Sequence, residues 1–289
     1  MRATTLAFVA LAAFGGGASA QQLVGQKESV FTLSERIADG GTVRIYSPMG
    51  DITITEAAGP TMEFRAEKDV RGGTPEDIAF LVQRDGNGIT VCAVYGADDE
   101  CDSDGVHSNS RRGWRNNFSD GWRDRARVKI SVTVPKGSRL RTSTGNGALS
   151  VNGAFADARV GSGNGRVRVT GVNGRVDASS GNGAVSVTTA NGPVNASSGN
   201  GDITVSMDRI TGDGDMVLSS GNGSIEVQLP ADFSAVVDAR SGNGGVSTDF
   251  PITLEGKWSA HAIHGTIGKG GRRLKMSTGN GSMEIRKKV

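Results

Sequence analysis

The tripeptide Gly-Asn-Gly constrains this chain more than any other feature. It occurs at 86–88, 145–147, 163–165, 181–183, 199–201, 221–223, 242–244 and 279–281. From the second copy onward the central residues are Asn146, Asn164, Asn182, Asn200, Asn222, Asn243 and Asn280, spaced by 18, 18, 18, 22, 21 and 37. A self-similar period near 20 residues marks a repeat architecture. The 37-residue gap has room for a degenerate copy at Ile263-His264-Gly265-Thr266-Ile267, with His264 in the asparagine place. An early copy around Ser47-Pro48-Met49-Gly50-Asp51-Ile52 carries Met49 there.

Each 18-residue unit divides again. Asn173-Gly174 and Asn191-Gly192 fall nine residues after Asn164 and Asn182. Between turns, apolar residues alternate with polar ones: Val167 and Val169, Val176 and Ala178, Val185 and Val187, Val194 and Ala196, Ile203 and Val205. Period-two alternation describes strands with one buried face. Glycine makes up 44 of 289 residues, about twice its ordinary share. Glycine and asparagine accept the backbone geometry of sharp turns, so the excess belongs at corners. Asn-Gly is also the strongest hairpin signal, so an antiparallel meander competes with a parallel β-solenoid. Near-identity of successive units favours stacking like on like, with the asparagines in a ladder.

The expectation is therefore an all-β chain, a parallel β-solenoid with coils of about 18–21 residues. Residues 141–289 form the Gly-Asn-Gly part. Residues 21–140 read as longer strands that begin the same sheets and cap their open end, which would otherwise expose unpaired edges.

Residues 1–20 have a positive start at Arg2, an apolar stretch from Leu6 to Phe14 and the small-residue pattern Ala18-Ser19-Ala20. That is the layout of a secretory signal peptide. No later segment is apolar enough for a membrane helix. The expected location is periplasmic or extracellular. In an exported chain the two cysteines, Cys92 and Cys101, favour a disulfide.

The repeat pattern breaks over residues 96–125. An acidic run (Asp98, Asp99, Glu100, Asp102, Asp104) precedes a basic one in which Arg111, Arg112, Arg115 and Arg123 surround Trp114, Phe118 and Trp122. Arginines interleaved with aromatic rings suit binding of sugars or anionic polymers. A solvated loop with mutually neutralising halves is the alternative. Glu100, Asp102 and Asp104 have calcium-loop spacing, but Arg111 occupies the place of the bidentate glutamate.

Net charge is +2, so no nucleic acid is expected as partner. No nucleophile elbow, phosphate loop, dinucleotide fingerprint or zinc-protease motif occurs. Asp177, Asp202 and Glu226 fall on different repeats, which disfavours paired-carboxylate glycoside chemistry. No metal site, cofactor or catalytic residue is assigned, and the chain is read as a non-enzyme.

Certain motifs, taken in order, resemble a known family. They are Ser47-Pro48-Met49-Gly50-Asp51-Ile52-Thr53-Ile54, Val132-Thr133-Val134-Pro135-Lys136-Gly137, the repeated Ser-Gly-Asn-Gly corners, Leu229-Pro230-Ala231-Asp232-Phe233 and Gly265-Thr266-Ile267-Gly268. Together they are similar to the bacterial putative-adhesin family of β-solenoid domains, related to the toastrack domains of cell-envelope stress systems. The resemblance spans about residues 31–285. It implies a right-handed β-helical domain outside the cytoplasm, and it supplies no catalytic residues. The expected function is a non-enzymatic binding or scaffold module of the cell envelope. Its partner is expected to be a cell-surface glycan, another envelope polymer or an envelope protein. The alternatives are a partner domain in envelope-stress sensing and a β-helical polysaccharide-degrading enzyme.

Overall fold

Alternating apolar residues place each repeat on two sheets. The computed structural model describes residues 21–70, 74–95, 99–108, 126–189, 191–255 and 259–288; the expected signal segment 1–20 lies outside them. A 13-stranded and an 11-stranded sheet enclose one apolar core. Among the described residues there is no α-helix, and one 3-10 turn spans Pro75–Asp77.

A coil contributes one strand to each sheet, with asparagine at the corner, and is named here by that corner residue. The Asn182 coil runs through Val176–Asn182 on the first sheet and Val185–Thr189 on the second. It stacks in parallel register on the Asn200 coil: Val176 on Val194, Ala178 on Ala196, Val185 on Ile203. This is solenoid pairing, not a meander. Val185, Val187 and Val205 are buried between the sheets, as are their counterparts on other coils. Burying a valine contributes about 1.5–3 kcal/mol, so the repeated inward pairs are the main stabilising term.

The four-residue corner has a separate reason at each position. The serine or threonine points inward and donates to a glycine carbonyl of the adjacent coil: Ser180 Oγ to Gly165 O at 2.8 Å, Ser198 Oγ to Gly183 O at 2.9 Å. That hydroxyl satisfies a buried carbonyl at the bend. The first glycine lies under the corner above it. A Cβ on Gly181 would sit 2.5 Å from Gly163 O. The asparagines form a polarised ladder. Asn164, Asn182 and Asn200 each donate Nδ2 to Oδ1 of the preceding asparagine at 2.7 Å. The ladder ends at Asn146, whose Nδ2 lies 3.1 Å from Met49 Sδ.

The middle of the rod is filled mostly by Val, Ala and Ile, with Phe155, Leu149, Leu218 and Met207 among them, whereas paired aromatic rings lie at the ends. Phe31 stacks on Phe80 at 4.9 Å, and Phe64 meets Phe80 edge-on at 5.6 Å. At the other end Phe233 and Phe250 are 6.0 Å apart.

Spatial order departs from chain order at both ends. Strand Thr42–Met49 lies between Gly88–Val94 and Arg139–Asn146, pairing in parallel with both. The last coil, Asn280, is inserted between the Asn222 and Asn243 coils. The ladder therefore runs Asn222, Asn280, Asn243. The expected degenerate coil at Ile263–Ile267 is not a coil. Strand Ala262–Ile267 pairs antiparallel with Ala235–Asn243 and with Ile252–Leu254, closing the end of the first sheet. The physical reason is at Ile263, which stands where every coil stacked on a preceding corner carries its first glycine; Pro48 holds that place only in the coil that starts the ladder. On the inserted coil a Cβ at that place, Gly279, would come 2.6 Å from Gly221 O.

Candidate binding face of the first sheet

Stacking in register turns each outward sequence position into a column along the rod. On the outer face of the first sheet, one column reads Arg44, Arg141, Arg159, Asp177, Asn195, Val217. The next reads Tyr46, Ser143, Gly161, Ser179, Ser197, Ser219. Long side chains beside very small ones leave a groove that crosses the strands.

Two adjoining hollows make up this groove. One, of about 370 Å³, lies among Tyr46, Asp104, Arg141, Ser143, Arg159 and Gly161. The other, of about 410 Å³, lies among Arg159, Arg175, Asp177, Asn195, Ser197 and Val217. Both fall in the size range of small-ligand sites. Val217 is 42% exposed, an apolar side chain presented to the groove.

A short hairpin, Asp99–Cys101 with Val106–Ser108, closes one end. The disulfide Cys92–Cys101, with Cα atoms 6.1 Å apart, fastens it over the sheet. Cys101 and Val106 pack with Tyr46, Ala79, Leu81, Cys92 and Val94 in a small second core. Tyr46 donates its hydroxyl to Ser103 O at 2.7 Å. Burial raises the Tyr46 pKa, opposed by Arg44 and Arg141, so the phenol stays a neutral donor. Within this hairpin Asp102 forms the turn. Asp102 Oδ1 accepts from the N–H groups of Asp104 and Gly105 at 2.8 and 3.1 Å, and lies 3.1 Å from His107 Nε2. The Asp104 N–H bond is the largest cause of its lowered pKa.

Charges along the groove are unequally matched. Arg44 pairs with Asp85 at 3.0 Å. Asp177 Oδ1 accepts from Arg175 Nε at 3.1 Å and from Asn195 Nδ2 at 2.8 Å. Arg139 lies 3.5 Å from Asp157, whose pKa is raised by burial despite Arg139 and Arg141. Arg141 and Arg159, direct neighbours across two coils, have no ion pair or side-chain hydrogen bond among the described residues.

Residues 156–286 match the family "Toastrack DUF4097". The toastrack match begins inside the groove: Arg159, Gly161 and Ser179 lie within it, whereas Tyr46, Arg141 and the disulfide hairpin precede it. Similar solved structures include a putative cell adhesion protein from Clostridium sporogenes, 11% identical with a TM-score of 0.35, covering 90% of this chain and all of that one. A putative adhesin from Bacteroides fragilis is 10% identical with a TM-score of 0.34, covering 91% and 99%. A putative lipid binding protein from Parabacteroides distasonis is 10% identical with a TM-score of 0.30, covering 90% and 97%. No protein of curated function matches the chain.

The site residues expected from sequence, Arg111, Arg112, Trp114, Arg115, Phe118, Trp122 and Arg123, lie outside the described residues. The insertion leaves the hairpin at Ser108 and re-enters the second sheet at Ala126. Sequence reading missed Arg141, Arg159 and Gly161. The available signal was the 18-residue offset between Arg141 and Arg159, visible once outward positions are aligned by repeat.

Proposed function

We propose that the chain is an exported, non-enzymatic binding module of the cell envelope, with the outer face of the first sheet as its contact surface. The observation that carries this reading is the groove itself. Stacked coils repeat a floor of Ser143, Gly161, Ser179, Ser197 and Ser219 at one strand spacing, about 4.8 Å. A regularly spaced polar floor beside an exposed Val217 suits an extended polymer with hydroxyl groups and apolar ring faces. The carboxylates flagged by sequence support a non-catalytic role. Asp177 is held by Arg175 and Asn195. Asp202 accepts from Ser224 N, and Glu226 lies 3.4 Å from Arg286.

Expression of the full chain followed by fractionation tests the location. Mature protein beginning at Gln21 is expected in the periplasm or medium; intact protein retaining residues 1–20 in the cytoplasm contradicts export. Sedimentation with isolated envelope polysaccharide tests binding. Cosedimentation is expected, and a protein that stays in the supernatant contradicts the module.

A further inference from the structure

We infer that Arg141 and Arg159 form the subsite for a carboxylate on an acidic polysaccharide lying along the groove. This deepens the binding reading above and rests on it. Three observations converge. Arg141 and Arg159 are direct cross-strand partners on adjacent coils, and like charges so placed repel each other. Neighbouring cations at this face form ion pairs, Arg44 with Asp85 and Arg175 with Asp177; Arg141 and Arg159 form none among the described residues, although Asp157 feels the charge of Arg141 and Asp177 is the cross-strand neighbour of Arg159. The hollow beside them is kept open by Gly161, the one glycine in a column otherwise of Tyr46 and serines.

Gly161 differs from the corner glycines in what surrounds it. A Cβ there would meet only Ser179 Oγ at 3.2 Å and Ser143 Cβ at 3.8 Å, with no backbone in the way. Packing therefore does not require a glycine at this place, and its effect is to leave space between the two guanidinium groups and the serines. A planar carboxylate matches the arginine fork, and guanidinium groups favour such pairing. Ser143 and Ser179 flank the same hollow and offer hydroxyls to a sugar. Beyond it, Ser197, Asn195 and Val217 continue the surface for the following sugar units. Successive coils present these groups at one strand spacing, about 4.8 Å.

The test titrates the full chain with a short oligogalacturonate and with its carboxyl-reduced, neutral form. Tight, salt-weakened binding of the acidic form is expected. The neutral form, Arg141→Gln with Arg159→Gln, and Gly161→Leu should each bind roughly tenfold or more weakly, the scale of a lost charged hydrogen bond. Arg168→Gln, on the opposite sheet, should bind normally, and urea midpoints should confirm that all variants fold. Equal binding of the neutral form, or equal loss in Arg168→Gln, overturns the subsite. Tighter binding to polyphosphate than to oligogalacturonate overturns the carboxylate assignment. Binding to envelope polysaccharide but not to oligogalacturonate overturns the ligand class and leaves the module standing. Failure to bind either overturns both.

Discussion

Gly161 and Gly181 lie on adjacent coils yet answer to different constraints. Gly181 sits beneath a carbonyl 2.5 Å from any added Cβ, whereas Gly161 faces only the serine side chains. Gly181→Ala should lower stability by about 1–3 kcal/mol, as overpacking does, while Gly161→Ala should be close to neutral. Urea unfolding of the two variants checks this, and equal effects would count against the close-stacked corner. The asparagines differ among themselves as well. Deamidation requires the following glycine nitrogen to attack the Asn side-chain carbonyl and expel ammonia. In the stacked coils that N–H is held by the next corner: Gly147 by Asn164 O, Gly183 by Asn200 O, Gly281 by Asn243 O. Gly244 N–H has no such partner among the described residues, and Asn243 Oδ1 accepts no hydrogen bond there. Among the seven ladder asparagines, Asn243 should therefore deamidate first when the folded protein is aged at mildly alkaline pH. Peptide mapping that finds the seven ladder asparagines equally altered contradicts this.

At the scale of the element, one lysine joins several segments of the N-terminal part. Lys68 Nζ donates to the carbonyls of Gly25, Gln26, Pro75 and Ile78 and lies 5.8 Å above the Phe80 ring centroid. It ties the first residues and the 3-10 turn to strand Thr61–Val70. Burial lowers its pKa from 10.5 to about 8. Between those values the unfolded chain holds the proton and the folded chain releases it, so the lysine's contribution to stability rises with pH. Wild type should gain stability relative to Lys68→Met between pH 7 and pH 10 in urea unfolding. A constant difference would contradict the shift. Sequence reading found the strands of this part because their alternation is strong, but not Lys68. Its four partners are backbone carbonyls, which no side-chain pattern announces. Arg141 and Arg159 were hidden for a related reason: each looks like an ordinary outward arginine until the coils are stacked. The Ser-Gly-Asn-Gly corners were legible because every position in them has a local steric or hydrogen-bonding cause.

For the whole molecule, the unexpected feature is the order of the last coils. Alternation at Ile263–Ile267 suggested one more coil because a period of two is the same for parallel and antiparallel strands. The missing corner glycine decides the matter, and the chain instead builds a hairpin cap and returns to insert the Asn280 coil beneath it. Removing residues 271–289 would thus take a coil from within the stack. In a chain ending at residue 270, residues 231–270 should become protease-sensitive while residues 139–229 stay protected. Resistance of 231–270 would contradict the inserted order. The two sheets also differ at the surface: the first carries the groove with Arg141 and Arg159, and the second carries outward Arg168, Ser186 and Thr204. The most direct test of the binding account compares the two faces. Ser197→Trp should fill the groove and reduce binding to envelope polysaccharide by roughly tenfold or more, the scale of a blocked site. Ser186→Trp, at an outward position of the opposite sheet, should leave binding unchanged. Loss of binding in Ser186→Trp with retention in Ser197→Trp would contradict the account.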